Sequence, residues 1–152
     1  MTRISRAIKS VSSDGVPQIV YYHFGVGSQG GLVDRIVGGA VGIGLGENIR
    51  EAYAFLCTNY SPRDEIYLLG FSRGAFTART IAGMIGVVGL LAKSGLQHLG
   101  EVFRDVQHRR DPNYRPQDPD APFPKKPSAG DPRYKAELAR VRRRPSVFSL
   151  SA

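Results

Sequence analysis

Residues 66–76 read Ile-Tyr-Leu-Leu-Gly-Phe-Ser-Arg-Gly-Ala-Phe, and the fold turns on how this stretch is read. An apolar run rich in strand-forming residues ends in Gly70-Phe71-Ser72-Arg73-Gly74. A helical pattern follows at once, over residues 73–91. A strand that enters a helix through Gly-x-Ser-x-Gly carries its serine on a sharp, strained bend. The glycines keep side chains out of that bend, and the hydroxyl stands clear of it. The helix points its positive end at the hydroxyl, and the N–H of the next residue, Arg73, is placed to hold an oxyanion. On this reading Ser72 is a nucleophile, and Gly70, Arg73 and Gly74 form its turn and its oxyanion donor. The competing reading is a plain tight turn with Ser72 as a helix cap.

Working outward, residues 18–23 (Gln-Ile-Val-Tyr-Tyr-His) follow Pro17 and read as a strand buried on both faces. A glycine-rich connection covers residues 24–46. Residues 47–60 place Ile49, Ala52, Tyr53, Leu56 and Tyr60 at helical spacing, with Arg50, Glu51 and Thr58 mostly on the other side. Residues 61–65 read as a turn into the second strand. In the helix after Ser72, Gly83, Gly86 and Gly89 recur every third residue and mark a face for close packing. Residues 95–109 and a short stretch from Pro132 are further helices. Strand, loop, helix, strand, sharp turn and helix is the order of a parallel α/β sheet with right-handed crossovers.

The 152 residues divide by composition: 17 of 18 glycines lie at or before Gly100, and eight of 10 prolines lie after it. Residues 1–16 form a flexible leading segment, 17–109 the core, and 110–152 a Pro-rich, largely irregular tail. The net charge is +8, and residues 101–152 hold twelve basic and seven acidic side chains. Such a tail either stays solvated or meets an anionic surface, and nothing in it points to a specific nucleic acid. Cys57 is the only cysteine, so no internal disulfide forms. The first residues lack the continuous apolar stretch of a signal peptide, and the longest apolar run, residues 81–92, is too short to span a bilayer. A cytoplasmic protein is expected. Gly25-Val26-Gly27-Ser28-Gln29-Gly30 fits a dinucleotide fingerprint, but a poor helix start follows it and the required acid is missing. His23, Gly25 and Gly27 are read instead as a substrate-side loop. No Walker pattern or metal-ligand cluster appears, so neither cofactor nor metal is expected.

A serine nucleophile needs a general base and an orienting acid. His23 ends a strand next to that of Ser72 and is read as structural or loop-contacting. His98 and His108 follow Ser72 in the chain. Asp105 and His108 stand three residues apart on one helical face, a common surface pair that nothing aims at Ser72.

Residues 17–95, and above all the extended string Gly-Phe-Ser-Arg-Gly-Ala-Phe, resemble an uncharacterised α/β-hydrolase family. That family includes the catalytic domains of type VI secretion phospholipase effectors. Residues 114–138 resemble the connecting segment of its fungal members. The resemblance implies a Ser-Asp-His hydrolase acting on ester bonds, with lipid among its substrates, and carries over Ser72 alone as catalytic. Family members begin with a Phe-Asp-Gly-Thr-like strand, and continue into a Trp-Asp-Thr strand and a Pro-Gly-x-His-like segment that supplies the histidine. This sequence has none of these and no tryptophan.

The expected fold is therefore α/β: a partial α/β-hydrolase-like parallel sheet with flanking helices, plus a Pro-rich basic tail. The expected function is that of a hydrolase fragment, weak or inactive alone, that takes an ester or lipid substrate. The alternative is a non-catalytic truncated product or pseudoenzyme that binds a partner or an anionic surface through the tail. An unpaired sheet edge would also favour self-association.

Overall fold

The computed structural model describes residues 2–23 and 41–141, with side chains placed for residues 4–23 and 45–140. Among the described residues, five α-helices carry the fold: α1 (Thr2–Ala7), α2 (Val41–Asn59), α3 (Arg73–Val88), α4 (Leu99–Gln107) and α5 (Pro132–Val141). A 3₁₀ turn over Lys93–His98 leads into α4.

Each long helix buries the stripe its sequence marks out. On α3, Ile81, Met84, Ile85 and Val88 are buried, at the spacing of one helical face. On α2 the buried residues are Ile49, Ala52, Tyr53 and Cys57, and on α4 they include Leu99, Val102, Phe103 and Val106. These stripes meet in one core. The guanidinium of Arg50 lies 5.7 Å from the ring centre of Phe103, which covers one edge of that core. α2 starts at Val41, so the last part of the stretch read as a glycine-rich connection is helical.

α3 ends at Gly89, whose φ of 71 lies in the region that favours glycine. Its N–H donates to Ile85 O at 2.7 Å, and its carbonyl accepts the Tyr53 hydroxyl at 2.6 Å. Two residues on, the Leu91 N–H donates to Cys57 Sγ at 3.2 Å. These two bonds fasten the end of α3 to α2. The expected close packing along Gly83 and Gly86 is not found: a Cβ at either position would meet nothing within 4 Å.

The parallel sheet, and with it the α/β class, is not what forms. Among the described residues there is no strand, and a single antiparallel bridge joins Val11 to Pro17. A strand exists only through hydrogen bonds to a neighbouring strand. Residues 18–23 and 66–71 do not pair with each other, and each finds its apolar partner on a helix instead. The Tyr21 ring lies 4.7 Å from that of Phe55 on α2, while Ile66 and Leu68 pack against the helical core.

The proline-rich stretch up to Val141 folds back onto the helices. Phe123, Ala129, Tyr134 and Leu138 join the core, with the Phe123 and Tyr134 rings edge-to-face at 5.5 Å. The anchor is Asp105 on α4, which is 3% exposed. Its Oδ1 accepts the Tyr114 hydroxyl at 3.0 Å, and its Oδ2 accepts the Tyr134 hydroxyl at 2.9 Å. Lys126 Nζ completes the group at 2.9 Å from Oδ2, with its side chain 1% exposed. Nearby, Lys135 Nζ donates to Gly86 O at 3.0 Å and ties α5 to α3.

Candidate active site at the start of helix α3

The residues before α3 alternate in burial. Ile66 and Leu68 face the core, whereas Tyr67, Leu69 and Phe71 are 78%, 67% and 79% exposed. The chain then turns at Ser72, where φ is 55 and ψ is −121. A non-glycine residue in such a conformation stores roughly 1–3 kcal/mol of strain, which the surroundings must hold. The turn is held closed by the Gly74 N–H donating to Phe71 O at 2.9 Å and the Ala75 N–H donating to Ser72 O at 3.0 Å.

Gly70 is what makes this bend fit. A Cβ at position 70 would lie 2.2 Å from Gly74 O and 2.6 Å from Ala75 N. Gly74 has no such need, because a Cβ there would meet nothing within 4 Å. The glycine before the serine is therefore steric, and the one after it is not.

The Ser72 side chain is exposed and makes no capping bond to the helix it precedes. The hydroxyl is thus not used as a helix cap. No described residue accepts the Arg73 N–H, which stands at the positive end of α3 beside the hydroxyl.

None of the described histidines hydrogen-bonds Ser72. His23 Nε2 faces Glu51 Oε2 on α2 at 3.8 Å, and Tyr21 beside it has its phenol pKa raised by burial and then by Glu51. His98 Nε2 lies 3.0 Å from Gln97 Nε2. His108 Nδ1 lies 2.9 Å from Arg104 O, and its ring stacks on Tyr114 at 4.7 Å. The Asp105–His108 surface pair read from helical spacing does not exist, because Asp105 is buried among Tyr114, Tyr134 and Lys126. Gly25 and Gly27 lie outside the described residues.

Two features escaped the sequence reading. One is the buried Asp105 group, whose partners are scattered through a stretch without periodicity. The other is a shallow cavity of about 310 Å³ between α3 and α4. It begins at Phe76, one helical turn from Ser72, and is lined further by Met84 and Phe103, with Arg79 and Arg109 also at its wall. No group of three His, Cys, Asp or Glu residues among the described ones is arranged to hold a metal ion. Nor is any single described helix long and apolar enough to cross a membrane.

Residues 1–147 match the family described as the type VI secretion system phospholipase effector Tle1-like catalytic domain. The chain belongs to this family. The Tle1-like match spans the serine turn, the helical core and the folded proline-rich stretch together. A relative in Saccharomyces cerevisiae (strain ATCC 204508 / S288c), the uncharacterized protein YEL023C, is 36% identical over 119 residues. That alignment covers 67% of this chain and 17% of the yeast protein, so the chain spans only a small part of that relative's length. No solved structure matches the chain.

Proposed function

We propose that the chain is part of a serine hydrolase that cleaves ester bonds in lipids, with Ser72 as its nucleophile. The observation that carries this reading is the Ser72 turn: a strained, exposed serine at the mouth of a helix, in a bend that requires glycine at position 70. Ser72 Oγ attacks the acyl carbonyl, and the Arg73 N–H holds the oxyanion that forms. Collapse expels the alcohol and leaves an acyl-enzyme, which water then hydrolyses. Membership of the Tle1-like phospholipase effector family supports a lipid ester as substrate. So does the cavity one turn along α3, where Phe76, Met84 and Phe103 offer apolar wall and Arg79 and Arg109 offer positive charge.

A serine without a base is a poor nucleophile. His23, His98 and His108 each have a neighbour of their own away from Ser72. We place the base and its orienting acid in further segments of a longer polypeptide, and the small share of the yeast relative spanned by this chain supports that placement. The 152 residues alone then react slowly. The binding of an anionic surface through the tail has less behind it. Lys126 is buried against Asp105, Arg104 pairs with Glu101, Arg133 with Asp131, and Arg140 with Glu137.

A fluorophosphonate probe tests the proposal. Slow covalent labelling of the folded chain is expected, with none in Ser72→Ala. Equal labelling of both, or no labelling of the parent at any probe concentration, removes Ser72 from the role of nucleophile.

A further inference from the structure

We draw no further inference here: the strongest candidate, the shallow cavity between α3 and α4 with Arg79 and Arg109 at its wall, belongs to the site already described, and nothing in the structure shows what covers it.

Discussion

Replacing Asp105 is the sharpest test of how the last third of the chain is held. Its carboxylate accepts two tyrosine hydroxyls and pairs with Lys126, and both charged side chains are at most 3% exposed. Lys126 has one further acceptor, Ala121 O at 2.5 Å. In Asp105→Ala the ammonium loses its counter-charge while remaining in a place water does not reach. Tyr134, which is 1% exposed, loses the acceptor of its hydroxyl. Removing one partner of a buried ion pair costs about 3–5 kcal/mol. A domain of this size has roughly 5–15 kcal/mol in all, so the variant should sit close to its unfolding threshold. Urea denaturation followed by far-ultraviolet circular dichroism measures the loss, and tyrosine emission gives a second probe because the chain has no tryptophan. Lys126→Met completes a cycle. It leaves the carboxylate with two hydroxyl donors, and its cost in the Asp105→Ala background should fall by about 1–3 kcal/mol relative to the parent background. An Asp105→Ala variant within about 1 kcal/mol of the parent, or strict additivity of the pair, would refute the claim that this group pins the proline-rich stretch.

Three further outcomes follow from the geometry. Gly70→Ala should destabilise the chain by about 2–3 kcal/mol, because its Cβ would overlap the backbone at Gly74, whereas Gly74→Ala should be neutral or stabilise by up to about 1 kcal/mol; thermal melts of the two variants check this. Tyr53→Phe should cost about 1–2 kcal/mol in urea denaturation, since it strips a buried donor from the Gly89 carbonyl. Burial first, and then the bond to Asp105, pushes the Tyr114 phenol from 10.0 up to about 12, and the Tyr134 phenol is raised for the same reasons. Raised phenols contribute stability that is complete below pH 10 and lost as the pH climbs towards the folded values. Tyrosinate absorbance and circular dichroism, titrated together, should therefore show a cooperative alkaline transition between about pH 10 and 12 that moves to lower pH in Tyr134→Phe.

The helices were legible because a helix is a local object. Ile49, Ala52 and Tyr53 stand at helical spacing in the sequence, and the structure buries all three. The turn at Ser72 was legible for the same reason, since Gly70 answers a clash within five residues. The two strands were not, because β-propensity says only that a segment suits a sheet, while the sheet itself needs neighbours. Residues 66–71 show the difference: the side chains alternate as a strand requires, yet among the described residues no strand lies alongside. Asp105 was misread because His108, three residues on along the same helical face, suggested a surface pair. Its real partners at 114, 126 and 134 stand in a stretch where prolines remove any periodic signal. The part of the candidate site visible in the sequence was the serine and its glycine. The cavity beside it depends on how α3 meets α4, which spacing does not encode.

The three downstream partners of Asp105 also impose an order on synthesis. The carboxylate leaves the ribosome before any of them, on a helix whose other inward positions are apolar. Until Tyr114, Lys126 and Tyr134 have emerged, it has only water to satisfy it, and burying it alone would carry a heavy desolvation penalty. The face of α4 bearing Asp105 must therefore stay hydrated while the rest of that helix can already collapse onto α2 and α3. Closure of the final third is a late event that waits for residue 134, and a nascent chain halted before that point would keep an open, wet flank.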